Sequence, residues 1–238
     1  MTTSIKKVSI ILAVHNEAGN IPLVMQSIEK AGNSIPYNME VIAVNDGSTD
    51  TSLHELQRAK EKYHFLKIVN NSRKTGMTAL VSRALPEVSG DVVMFFPSDM
   101  ESHPDEDIPK LLKPIEDGYD VAAGVRVGRK DGKVKTSNFA NFIISRMFGL
   151  KLHDMNWIKA MTRPAVDTLV LKYSWVRYML LFPHFHGMKT AEVETNWYPR
   201  TYGQSKFGLV RILDAFKDLL ILVYFYFKGE FHKKKIIP

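Results

Sequence analysis

Short apolar runs recur through the first half of the chain, and each stops at a cluster of polar residues. Val8–Val14 gives way to His15-Asn16-Glu17, and Met39–Val44 to Asn45-Asp46-Gly47-Ser48-Thr49-Asp50. Val92–Phe96, bounded by Gly90 and Pro97, gives way to Ser98-Asp99-Met100-Glu101. Runs this short, with turn signals at their ends, read as strands of a buried parallel sheet. Helical patterns lie between them. Asn20 and Pro22 start a helix ending near Gly32, and another follows the Asn45–Asp50 cluster to about Tyr63. Gly76 opens a third, with Leu80, Ala84 and Leu85 on one face, and an acidic helix runs from about Asp105 to Asp117. Leu66–Val69 and Tyr119–Val125 complete the strands. Alternation of this kind specifies βαβ units, and so a mostly parallel, Rossmann-like α/β sheet flanked by helices.

Parallel strands deliver their polar ends to one edge of the sheet, which is where ligands bind in such folds. Asp99 and Glu101 are one residue apart after the central strand. In an extended chain both side chains point the same way, and paired carboxylates make a hard oxygen site for Mg²⁺ or Mn²⁺. Capping of the following helix, whose first turn already holds Asp105, Glu106 and Asp107, accounts for the same acids. No G-x-G-x-x-G or G-x-x-x-x-G-K-[ST] cradle occurs. A nucleotide here needs acids for its base and ribose and a metal for its phosphates, which is the make-up of a sugar-nucleotide site.

The 238 residues suit one large domain, or a domain with an appendage. A formal net charge of +7 calls for an anionic partner, and the absence of cysteine removes thiolate chemistry. No nucleic-acid-binding module is recognisable, so nucleic acid is not the expected partner. The Lys6-Lys7 start and the short apolar run after it lack a small-residue cleavage site, so no signal peptide is expected, and no apolar stretch is long enough to span a bilayer. Past Gly124 the chain becomes basic and aromatic. Arg126, Arg129, Lys130, Lys133 and Lys135 are clustered, and a helix carrying Phe139, Phe142, Ile143, Ile144, Met147 and Phe148 follows. A last helix, about 207–227, sets Leu209, Ile212, Leu213, Phe216, Leu220 and Val223 at helical spacing, with Lys233-Lys234-Lys235 beyond it. This divides the chain into a domain over 1–206 and an amphipathic, basic, membrane-associating segment over 207–238. Trp157, Trp175 and Trp197 are expected in the core, and His184 and His186 lack a third metal ligand at recognisable spacing.

The motifs Val14-His15-Asn16-Glu17, Val44-Asn45-Asp46-Gly47-Ser48-Thr49-Asp50, Gly90-Asp91 before an apolar strand, and Arg200-x-x-Gly203-x-Ser205-Lys206 appear in series. Together they resemble glycosyltransferase family 2, and within it the dolichyl-phosphate mannose synthases and related polyprenyl-phosphate glycosyltransferases. The resemblance implies a GT-A fold, a divalent metal, and inverting transfer of a hexose, mannose first, from a GDP- or UDP-sugar to a polyprenyl monophosphate. It places Val14, Asn16, Glu17, Asp46, Ser48, Ser98 and Asp99 at the nucleotide sugar, and Asp99 and Glu101 at the metal. The family's metal motif usually reads Asp-x-Asp-x-Gln, where this chain has Pro97-Ser98-Asp99-Met100-Glu101. Arg126, Arg129, Lys135, Arg200, Ser205 and Lys206 match positions around the acceptor phosphate and donor diphosphate. Asp99, Arg126, Arg200 and Lys206 would carry the catalysis.

A monophosphate acceptor, mostly dianionic at neutral pH, needs cations and no general base. A saccharide or other hydroxyl acceptor needs a base, for which Asp154 and Glu192 are the candidates. A protein that binds nucleotide sugar without turnover is the third reading, motivated by Pro97. The resemblance implies action at the cytoplasmic face of a membrane, with a membrane-protein partner or a second copy conceivable.

Overall fold

β1, Lys7–Val14, runs through the middle of the sheet. Its alternation explains why: Val8, Ile10, Leu12 and Val14 face one apolar layer and Ile11 the other. The computed structural model describes residues 5–128, 144–203 and 210–231, with side chains from 216 onward in the last segment. Arg129, Lys135, Ser205, Lys206 and Lys233–Lys235 lie outside the described residues, as do Phe139, Phe142, Ile143 and Leu209. The side chains of Ile212 and Leu213 do too.

The other strands are β2 (Asn38–Asp46), β3 (Leu66–Asn71), β4 (Val92–Pro97), β5 (Val121–Val127), β6 (Lys159–Thr162) and β7 (Thr190–Asn196). They form a seven-stranded sheet in the order β3-β2-β1-β4-β6-β5-β7. β1 pairs in parallel with β2 and β4, β2 with β3, and β5 with β7. Among the described strands, β6 alone runs antiparallel, between β4 and β5. The sequence reading misses β6 and β7. β6 is four residues long and begins with a lysine, and β7 is a half-exposed edge strand, so neither shows the apolar run of a central strand.

On one face of the sheet, α1 (Ile21–Ser34), α2 (Ser52–Lys62) and α4 (Pro104–Glu116) bury Ile21, Met25, Ile28, Leu56, Ile108 and Leu111. On the other, α3 (Met77–Ala84) buries Leu80, Val81 and Ala84. The 175–185 region adds Trp175 and Phe182 there. The C-terminal helix, Val210–Phe227, closes this second layer through Leu219 and Leu222. Trp175 is the hinge of that contact: its Nε1 donates to the Asp218 carbonyl at 3.2 Å, and its ring meets Phe225 and Phe231 edge-on. The opposite side of the helix exposes Phe216, Leu220, Tyr224 and Phe227. Among the described residues, no helix is long and apolar enough to cross a membrane.

Strand order reverses between β1 and β4, which lie side by side with Ala13 opposite Pro97. In open α/β sheets, ligands bind in the crevice above the carboxyl ends at such a switch point.

Candidate active site

The loops after β1 and β2 are locked to each other at that edge. Asn16 takes a left-handed φ of 56°, a conformation asparagine tolerates better than most residues. Its backbone N–H donates to Ser48 Oγ at 3.0 Å, and its Oδ1 accepts from the Thr49 N–H at 2.7 Å. The Glu17 N–H donates to Ser52 Oγ at 2.8 Å. Asn16 and Ser48 therefore position the loops, and Glu17 faces the crevice.

Asp46 is buried and accepts hydrogen bonds from Thr75 Oγ1 and N–H, the Gly76 N–H and Asn71 Nδ2. Burial alone would raise its pKa, but those donors, Thr75 foremost, hold it below the ordinary carboxylate value. The neighbouring Gly47 has φ +62°, and a Cβ there would sit 2.3 Å from the Arg73 and Lys74 backbone. Only glycine permits that approach. Asp46 and Gly47 thereby press the 71–76 turn against the crevice, where Lys74 and Gly76 form part of the wall.

After β4 the chain does not stay extended, because Met100 is left-handed with φ 58°. The alternation expected for Asp99 and Glu101 is therefore absent, yet the two carboxylates still converge. Arg200 Nη2 lies 2.7 Å from Asp99 Oδ2, its Nε 2.7 Å from Glu101 Oε1, and its Nη1 3.7 Å from Glu17 Oε1. The acids do not cap α4, whose first-turn carboxylates bond instead to Ser27, Tyr198 and Ser102. Burial raises the Asp99 pKa, and the Arg200 charge opposes that shift. Ser98 donates to the Ala13 carbonyl at 2.7 Å and so ties β4 to β1. The Arg200 loop is itself fastened to the domain. The Tyr198 N–H donates to the Glu101 carbonyl, the Tyr202 ring packs on Gly19, and Asn20 Nδ2 donates to the Tyr202 carbonyl at 3.3 Å.

On the far wall, Arg126 makes a bidentate pair with Asp154, at 2.6 and 3.0 Å, and stacks over Trp157 at 4.6 Å. Glu192 is engaged by the backbone and ring of His153. Lys159, at the start of β6, borders the cleft but is buried, and burial pushes its pKa down to about 8. Nothing in the sequence marks it, because a lone lysine between apolar residues carries no motif. Trp157 is buried as expected but doubles as the platform for Arg126. Trp175 lies in the core and Trp197 is half-buried. His184 and His186 bond to the carbonyls of Phe148 and Phe182. The cleft has a volume of about 420 Å³.

Asp99 and Glu101 fit a divalent cation in kind, since their oxygens already meet around one positive group. Among the described residues they are not joined by a third acid or histidine at metal-holding distance. Mg²⁺-type sites commonly use one or two carboxylates and complete their shell with substrate phosphates and water.

A doubly wound α/β sheet with acids and a guanidinium gathered at its switch point has the layout in which such folds bind ligands above the carboxyl edge. Solved structures share the fold. Mycobacterium tuberculosis glucosyl-3-phosphoglycerate synthase, in complex with Mn²⁺, UDP and glucosyl-3-phosphoglycerate, has a TM-score of 0.69 at 20% identity. The match covers 93% of this chain and 79% of that one. The same synthase with Mn²⁺, UDP-glucose and phosphoglyceric acid gives a TM-score of 0.71 at 20% identity, with the same coverage. The architecture is thus the GT-A fold. The chain belongs to glycosyl transferase family 2, whose sequence profile matches residues 9–172. Among its relatives is the undecaprenyl-phosphate 4-deoxy-4-formamido-L-arabinose transferase of Salmonella choleraesuis (strain SC-B67), 27% identical over 221 residues. The alignment covers 91% of this chain and 67% of the relative. The Salmonella newport (strain SL254) protein of the same name matches to the same extent, 27% over 221 residues.

Proposed function

We propose that the protein transfers a glycosyl group, with inversion, from a nucleotide sugar to a polyprenyl monophosphate at a membrane surface. The observation that carries this reading is the convergence of Glu17, Asp99 and Glu101 on Arg200 at the switch point of a family 2 domain. Acids and cation together suit a nucleotide diphosphate: the cation binds phosphate, and the acids hold either that cation or a metal. When bound, Mg²⁺ or Mn²⁺ at Asp99 and Glu101 supplies neutralising charge for the diphosphate leaving group. Arg200, a rigid fork of donors, holds a phosphate oxygen beside it. Asp46, with Gly47, supports the wall against which the nucleoside rests.

A phosphate acceptor is favoured over a hydroxyl one by the two candidate bases. Asp154 is held bidentately by Arg126 and Glu192 by His153, so neither is poised to take a hydroxyl proton. A monophosphate needs no base. The relatives named for undecaprenyl phosphate support the acceptor class, and the UDP complexes of the GT-A neighbours support the donor class. Mannose from GDP-mannose is the first sugar to test. The exposed apolar row of the C-terminal helix gives the domain a face for the cytoplasmic surface of the membrane that holds the acceptor.

The test is sugar transfer to a short polyprenyl phosphate from a panel of GDP- and UDP-sugars, with and without chelator. The expected result is a chelator-sensitive lipid-linked product that Asp99→Asn abolishes while the melting temperature holds. Product on a water-soluble hydroxyl acceptor, or nucleotide binding without turnover under every metal, overturns the reading.

A further inference from the structure

Lys159 stands opposite Phe95 of β4 and Ala123 of β5 in the sheet register, at the carboxyl edge. It is 4% exposed, yet it borders the cleft. Among the described residues its Nζ makes one hydrogen bond, to the Met155 carbonyl at 3.3 Å, and no ion pair. An ammonium carries three donors. A cation buried without a counter-charge is strongly unfavourable, and natural proteins keep one only where something compensates it.

The neighbouring Asp154 carboxylate favours the ammonium, but the Arg126 charge works against it. Both oxygens of Asp154 are engaged by Arg126. Arg126 and Lys159 set against Asp154 leave one net positive charge at the floor of the cleft. The surrounding walls are apolar: Ile11, Leu80, Val81, Phe95, Val176 and Met179. These side chains belong to the α3 face of the sheet, to which Met161, two residues along β6 from Lys159, also points. The floor therefore holds a buried ammonium beside apolar walls, in the same cleft that the acids around Arg200 line.

We propose that Lys159 forms a subsite for an anionic oxygen group, a phosphate or a carboxylate, borne by a substrate of the cleft. This rests on the proposed function only in taking the cleft as the place where substrates bind. Two sources carry that chemistry: the monophosphate of a prenyl acceptor, and a carboxylate on the donor sugar. The apolar walls favour the first, because an isoprenoid monophosphate is oily immediately beyond its charged head.

The experiment is calorimetric titration of the full chain, as wild type, Lys159→Met and Lys159→Arg. The probes are farnesyl phosphate, farnesol, UDP-glucose and UDP-glucuronate. The expected result is at least a tenfold loss of farnesyl phosphate affinity in Lys159→Met, with farnesol and UDP-glucose unchanged and Lys159→Arg restoring binding. A loss confined to UDP-glucuronate supports the same subsite and assigns it to the donor sugar. Equal affinities in wild type and Lys159→Met, or wild-type protein that binds neither anion in preference to its neutral counterpart, overturn the proposal. If Lys159→Met does not fold, Lys159→Gln is read in the same way. Phosphate binding that depends on Lys159 without any sugar transfer would count against the transferase reading and leave this subsite standing.

Discussion

Arg200 holds three carboxylates in the free protein, so a divalent cation entering at Asp99 and Glu101 must compete with a guanidinium. Arg200→Ala should therefore bind Mn²⁺ more tightly, by about tenfold if the lost competition is ~1.5 kcal/mol, while sugar transfer falls. Calorimetry with Mn²⁺ checks this, and unchanged or weaker binding would remove the competition. Glu40 is a residue of the opposite kind, structural and distant from the cleft. It is buried, paired with Lys7 at 2.8 Å and Lys67 at 3.3 Å, and bonded to Ser9 and Ser89. Burial pushes its pKa up, but these donors outweigh it and hold the value at about 2, below the ordinary 4.5. A depressed carboxylate stabilises the fold above its unfolded pKa and loses that contribution as the pH falls through its folded one. Stability should decline from about pH 4.5 toward pH 2, and Glu40→Gln should flatten that slope while costing about 1–3 kcal/mol at pH 7. Urea denaturation at pH 7 and pH 3 measures both effects.

At the scale of single residues, motif positions were legible and partnerships were not. Asn16, Glu17, Asp46 and Asp99 stand out because each sits in a polar cluster at the end of an apolar run, and Arg200 because it opens the Arg200-x-x-Gly203-x-Ser205-Lys206 motif. That Arg126 grips Asp154, or that Arg200 rests on Glu17, could not be seen, since those pairs are separated by long stretches of chain. Lys159 was invisible because burial is a tertiary property.

The C-terminal helix presents two faces with two jobs. Leu219 and Leu222 are buried in the second core, whereas Phe216, Leu220, Tyr224 and Phe227 are each more than half exposed. Burying an apolar side chain of this size is worth ~2 kcal/mol. The double variant Leu220→Gln, Tyr224→Gln should thus bind anionic vesicles at least tenfold more weakly, with an unchanged melting temperature. Vesicle co-sedimentation with parallel thermal melts distinguishes this from a packing defect, in which the melting temperature would fall. The inner face makes the contrasting prediction. Trp175 is fully buried and ties the 175–185 region to this helix, so Trp175→Ala should cost about 3–5 kcal/mol. A shift of the urea midpoint smaller than that of an ordinary surface substitution would place the helix outside the cooperative unit. Element by element, the long amphipathic helices and central strands were readable from periodicity. β6, β7 and the left-handed turn at Met100 were not, because short or edge segments and single backbone dihedrals leave no periodic trace.

In the whole molecule, the candidate site follows from where the strand order reverses. β1 and β4 are far apart in sequence but adjacent in the sheet, which brings Glu17 beside Asp99 and Glu101 and opens the crevice between their loops. The α/β alternation, the direction in which the polar strand ends point, and the acids and arginines that gather there are all readable along the chain. These are local consequences of hydrophobic periodicity and turn chemistry. Which cation meets which acid, that β6 inserts antiparallel, and that Lys159 is buried at the cleft emerge only when the chain is folded. Each of those depends on contacts between distant parts of the chain, whose energies arise from burial and proximity and have no counterpart in local sequence.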